Sequence, residues 1–108
     1  MELVSTHLAT APGGVVLTTA IEGETIQSYV VVAPPDINAV ADIVPASEFE
    51  RGADVHATAV IEPGDALDKI EEVLENVQPG DVVVFLCASD AVYAETLTGL
   101  GYAAGATT

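Results

Sequence analysis

The chain has 108 residues, half of them apolar, and 17 acidic residues against two basic ones, for a formal net charge of −15. That length holds one ordinary domain, residues 1–108, and the apolar half excludes a disordered chain. Arg51 and Lys69 alone are too few to displace phosphate counterions or to grip an anionic bilayer, so no nucleic acid and no membrane is expected as a partner.

Leu3 to Thr10 alternates loosely and predicts a strand. Pro12-Gly13-Gly14 signals a turn, and the β-branched run from Val15 to Ile21 predicts a second strand. Glu22-Gly23-Glu24 suits a tight hairpin, with Gly23 free to take positive φ. Thr25 to Ala33 is then a third strand. Its last residues, Val30-Val31-Val32-Ala33, are apolar on both faces and belong inside a sheet.

Pro34-Pro35-Asp36 stops that strand and starts a helix capped by Asp36, with Ile37, Val40, Ala41 and Val44 at helical spacing and Pro45 as its end. Residues 45–53 are irregular, with Phe49 as the expected anchor. Asp54 to Glu62 reads as a fourth strand. Val55, Ala57, Ala59 and Ile61 share one face, and His56, Thr58, Val60 and Glu62 share the other.

Residues 65–77 form the clearest helix. Ala66, Leu67, Ile70, Val73, Leu74 and Val77 make its apolar stripe, and Asp65 opens it and pairs with Lys69. Val82 to Cys87 is apolar on both faces and is expected at the sheet centre. Ser89 or Asp90 caps a last helix running to about Leu100, with Ala91, Ala94, Leu97 and Leu100 as its narrow stripe. Gly99 and Gly101 mark its end, and Tyr102 to Thr108 is an edge strand or a tail.

The expected fold is a single small α/β domain with the order β-β-β-α-β-α-β-α. The first three strands form an antiparallel meander. Strand 54–62, helix 65–77 and strand 82–87 form a βαβ unit with parallel strands, so the sheet is mixed.

Candidate chemistry is sparse. Cys87, the only cysteine, lies where a central strand meets a helix, in Phe85-Leu86-Cys87-Ala88-Ser89-Asp90. A thiol beside a helix N-terminus can be nucleophilic, with Ser89 and the following N–H groups as an anion cradle. Asp90 opposes a thiolate there, and a lone cysteine is more often a core residue, which is the reading favoured for Cys87. The segment Asp81 to Gly105 resembles the strand–cysteine–helix segment of rhodanese-like sulfurtransferases, and Ser47-Glu48-Phe49-Glu50-Arg51-Gly52 resembles an earlier stretch of that family. The resemblance implies a cysteine-dependent sulfurtransferase or an inactive relative. The family's anion loop ends in Arg, whereas the matching positions here hold Asp90 and Val92. The last helix is also about a turn too short, and the first 30 residues match nothing in the family.

His7 and His56 lack any HxH, HExxH or CxxC context, so both are read as solvent-facing strand residues and no metal or cofactor is expected. The carboxylate pairs Glu48 with Glu50, Glu71 with Glu72 and Asp65 with Asp68 sit on polar faces and read as solvated surface.

A single cysteine excludes an internal disulfide. The N-terminus lacks the basic and apolar regions of a signal peptide, and Val82 to Ala88 is far short of the ~20 apolar residues of a spanning helix. A cytoplasmic location follows by elimination. Acid excess, scarce Lys and small apolar residues suit a salt-rich cytoplasm, where self-repulsion is screened. The function expected is a non-catalytic module that binds a protein partner or forms a homo-oligomer, using the strand Thr25 to Ala33 or the Tyr102 tail as a free edge. The alternative is the small cysteine-dependent enzyme. A ligand-binding domain of a larger regulator differs from the first reading only in context.

Overall fold

Strands that are apolar on both faces need neighbours on both sides. The computed structural model, which describes residues 3–11, 13–32 and 43–102, places two of them side by side. Its strands are β1 (Leu3–Ala11), β2 (Gly14–Ile21), β3 (Glu24–Val32), β4 (Val55–Ala57) and β5 (Val82–Cys87). Among the described residues the helices are α1 (Ala46–Glu50), α2 (Ala66–Leu74) and α3 (Asp90–Gly99). The five strands form one mixed sheet in the order β1-β2-β3-β5-β4. β1, β2 and β3 are an antiparallel meander, while β3 and β4 both run parallel to β5. The expected α/β order and the βαβ unit are therefore present in a single domain.

The β2–β3 turn has Glu22 at φ 50° and Gly23 at φ 89°, the doubly positive pair that matches the twist of a hairpin. On one face of the sheet, Leu17, Val30, Val83 and Phe85 pack beneath Ile70 of α2 and Val92 of α3. On the other, Val16, Tyr29, Val31 and Val84 pack against Ile43 and Val44. The sheet is thus covered from both sides, which is why every residue of β5 is buried.

Several expectations need correction. Thr25 to Ala33 leaves no free edge, because β3 is paired with β2 on one side and β5 on the other. The long strand 54–62 is cut to Val55–Ala57 plus an isolated bridge from Ile61 to Cys87. The break is local chemistry: the Leu86 N–H donates to Thr58 Oγ1 at 3.1 Å instead of to a main-chain carbonyl. The Thr58 hydroxyl is therefore buried, and Ala59 and Val60 loop outward.

Phe49 is not an anchor, since it is 46% exposed and α1 buries no residue. The buried pair Ile43 and Val44, just before it, does that work. Leu67 is 63% exposed and leaves the stripe, whose other members hold: Ala66, Ile70 and Leu74 are buried, and Val73 and Val77 pack partly buried against the same core. Lys69 reaches Glu72 at 3.6 Å rather than Asp65. On α3 the buried line is Val92, Thr96 and Leu100, not the alanines. Thr96 tolerates burial because its hydroxyl donates to the Val92 carbonyl at 2.8 Å, which satisfies it within the helix. The expected helix from Asp36 through Ala41 lies outside the described residues, as does the tail beyond Tyr102.

Candidate functional site

Cys87 ends β5 with 0% exposure, its side chain in the core beneath α3. The thiol points to Thr96 Oγ1 at 3.6 Å and to the Phe85 carbonyl at 3.9 Å. Burial pushes its pKa up, and the contact with Thr96 offsets this only in part. A nucleophilic thiol needs the reverse, access and a stabilised anion. Ser89 is the N-cap of α3, and its hydroxyl accepts from the Val92 N–H at 3.4 Å. Asp90 is exposed in the first turn. The three candidates are adjacent along the chain, but the thiol faces the core while Asp90 faces solvent, so they do not converge.

The histidines are on opposite edges of the sheet, His7 on β1 and His56 on β4. His7 is exposed, with its ring 6.4 Å from that of Tyr102. His56 is not simply solvent-facing: its Nε2 lies 3.0 Å from Asp81 Oδ2, which also accepts from the Gln78 N–H at 2.9 Å. Burial works to raise the Asp81 pKa, but the hydrogen bonds from Gln78 and His56 outweigh it and hold the carboxyl below its ordinary value. Nearby, Arg51 donates to Glu48 at 2.7 Å and to the Gly80 carbonyl at 2.8 Å. This cluster ties the α1 segment to the β5 entry turn, and each member already has a partner. Glu50, Asp65, Asp68, Glu71 and Glu72 are exposed. Among the described residues no group of His, Cys, Asp or Glu is arranged to hold a metal ion.

Sequence reasoning missed two features. The first is a chain of buried hydroxyls across three strands: Ser5 and Thr19 at 2.8 Å, Thr19 and Ser28 at 3.0 Å, and Ser5 donating to the Leu100 carbonyl at 2.6 Å. Its signal was one Ser or Thr at an inward position of each of the first three strands.

The second is the outer edge of β1. Among the described residues the sheet has two edge strands, and they are treated differently. β4 is three residues long and is flanked by the Lys69–Glu72 pair across a polar hollow of 340 Å³. Short length and nearby charge are standard protections against pairing. β1 is nine residues long, and Val4 and Leu8 on it are 52% and 54% exposed. No Asp, Glu, Lys or Arg occurs from Leu3 to Ile21, the whole β1–β2 hairpin. A β-bulge lies between His7 and Ala9. The Ser5 N–H donates to the Gly101 carbonyl at 3.5 Å, and the Tyr102 ring lies 6.4 Å from that of His7, so the described chain after α3 meets the first half of this edge. Beyond the bulge, a groove of 410 Å³ runs beside the strand, lined by Leu8, Ala11, Val16, Tyr29, Ile43 and Glu48 among others. Burial, and then the charge of Glu48, raises the Tyr29 pKa, so its phenol stays neutral on that wall. An uncharged edge beside an apolar groove offers main-chain hydrogen bonds and side-chain pockets together, the arrangement that receives an added strand. The signal for it was the charge-free run, conspicuous in a chain this acidic.

No helix among the described residues is long and apolar enough to cross a membrane. No family model, curated protein or solved structure matches the chain.

Proposed function

We propose that the protein is a non-catalytic module that binds protein chains by accepting a strand along the outer edge of β1, and that it works in a salt-rich cytoplasm. The observation that carries this reading is the charge-free hairpin Leu3 to Ile21 in a chain of net charge −15, with the nine-residue β1 as an outer strand among the described residues and Val4 and Leu8 on it about half exposed. A natural edge strand is normally blunted by Lys, Glu or Pro, because unpaired N–H and C=O groups recruit other strands. β1 contains none of these residues, and its one device of this kind is the bulge between His7 and Ala9. The rest of the surface supplies solubility: among the described acidic residues, all but Glu48 and Asp81 are exposed. At molar salt the Debye length falls to ~3 Å, so those charges no longer oppose approach of a partner.

The test is site-specific photo-crosslinking in cells grown at high salt, with the photoreactive residue at Thr10 on the edge and, as a control, at Leu67 on α2. Adducts from Thr10 whose partner peptide is identified by mass spectrometry and maps to an extended segment, with none from Leu67, are expected. Adducts from both positions alike, or from neither, overturn the reading.

A further inference from the structure

We infer that residues 103–108 regulate the β1 edge from within the molecule: they add to it as a parallel strand, and an incoming strand binds only by displacing them. The displacement rests on the strand-addition reading above. The occupant is identified by where the chain delivers it, not by charge. The Gly101 carbonyl accepts from the Ser5 N–H at 3.5 Å, and a Cβ on Gly101 would run into the Leu3 carbonyl. A carbonyl and an N–H two residues apart on one strand flank one position of a parallel ladder, so Gly101 stands opposite Val4. Tyr102 carries the chain onward, its ring 6.4 Å from that of His7, which is the direction in which β1 runs. The Tyr102 N–H donates to the Leu97 carbonyl at 3.0 Å, so this start is anchored on α3. A free strand has to be captured from solution, whereas the residues after Tyr102 are tethered at the edge itself, and so short a tether gives an effective concentration on the order of millimolar or above.

The connectivity of the sheet favours the same direction. β1 runs parallel to β3, through two antiparallel pairings, and therefore parallel to β5. A strand after α3 that runs parallel to β1 makes β5, α3 and that strand a crossover. It steps across the sheet in the same sense as β4–α2–β5, with α3 over the same face as α2, so both crossovers have the same hand. Residues 103–108, Ala-Ala-Gly-Ala-Thr-Thr, contain no proline, so every N–H can donate. Six extended residues reach about 20 Å, enough to follow Thr6 to Ala11 along β1. In this register the Ala103 N–H meets the Ser5 carbonyl and the His7 N–H meets the Ala103 carbonyl. Gly105 falls opposite Leu8, at the bulge, where the lack of a side chain lets a strand follow the bend. The small side chains that follow leave the groove beside Leu8 and Ala11 unfilled, so a strand carrying larger ones displaces the segment from that end.

The experiment is amide hydrogen exchange, read by NMR on the purified full chain in molar KCl, for the wild type, Ala103→Pro and Gly105→Pro. The same three forms are then compared for Thr10 photo-adducts in cells. The His7 amide is expected to exchange roughly ten-fold or more slower in the wild type than in either variant, because a paired N–H opens only when the strand lifts. Thr10 adducts are expected to rise several-fold in both variants. Unchanged exchange of the β5 amides shows that a variant is folded, and either variant suffices. A His7 amide that exchanges alike in all three forms overturns the inference, and the Thr10 adducts then judge the strand-addition reading by themselves. Protection that grows with protein concentration assigns the edge to a second copy and overturns it too. So does tail-dependent protection with equal Thr10 adducts in every form, because the partner then does not compete with residues 103–108. If no form gives Thr10 adducts, the strand-addition reading fails and the competition with it.

Discussion

The Ser5 hydroxyl donates to the Leu100 carbonyl at 2.6 Å, joining the first strand to the end of the last helix across 95 positions of sequence. The contact closes the domain, and Gly101 makes it possible. That residue takes φ 80°, and a Cβ there would run into the Leu3 carbonyl. The hydroxyls can run in one direction, Ser28 to Thr19 to Ser5 to Leu100, so that each donates once and none is stranded. Ser5→Ala removes the terminal donor and leaves the buried Leu100 carbonyl and Thr19 hydroxyl short of a partner. A loss of about 1–3 kcal/mol is expected, measured by equilibrium unfolding in molar KCl. A change within a few tenths of a kcal/mol would show that the hydroxyl chain carries no stability.

Asp81 makes stability depend on acid pH. Its carboxyl is held below its ordinary value in the folded state, so its contribution is present above the unfolded value of about 3.9 and is lost as pH falls through the folded one. Asp81→Asn is expected to cost about 1–2 kcal/mol near neutrality, through weakened hydrogen bonds to Gln78 and His56. The gap between wild type and variant should close as pH falls below about 4. Taking the difference cancels the general effect of discharging the acidic surface. A gap that persists unchanged to the lowest pH at which both fold would show that the ionised form is not what the site favours.

Cys87 should behave as a packing residue. With the thiol buried and its pKa raised, a thiol reagent should label it only as the protein unfolds, at any pH from neutral to mildly alkaline. Cys87→Ala should destabilise by about 1–2 kcal/mol, the ordinary range for a small truncation in a core. Rapid labelling of the folded protein would contradict the burial and return the cysteine-enzyme alternative to the foreground.

Salt should stabilise the domain. The acidic side chains of α2 and its flanks repel one another over a Debye length of ~30 Å at 0.01 M salt and only ~3 Å at 1 M. Moving from molar to millimolar KCl should lower the melting temperature by more than about 4–8 °C, the shift that ~1 kcal/mol produces in a domain of this size. A melting temperature that does not move would remove the case for a salt-rich setting.

Local patterns in the sequence determined most of the elements. Glu22-Gly23 set the hairpin because positive φ is cheap there, Ser89 capped α3 because its hydroxyl can take a first-turn N–H, and the doubly apolar runs of β3 and β5 required interior places in a sheet. These features depend on residues within a few positions of one another. Even the candidate edge was written locally, as an uncharged run in a chain of net charge −15. What only the tertiary structure decided was adjacency. Insertion of β5 between β3 and β4 turned the expected free strand Thr25 to Ala33 into a central one and left β1 outermost. Thr58 broke the fourth strand because the Leu86 N–H, 28 positions away, found its hydroxyl. Cys87 became a core residue because α3 folds back over it and brings Thr96 to its sulfur. Each of these outcomes turns on which distant groups meet, and that is set by packing the whole chain, so no window of sequence contains it.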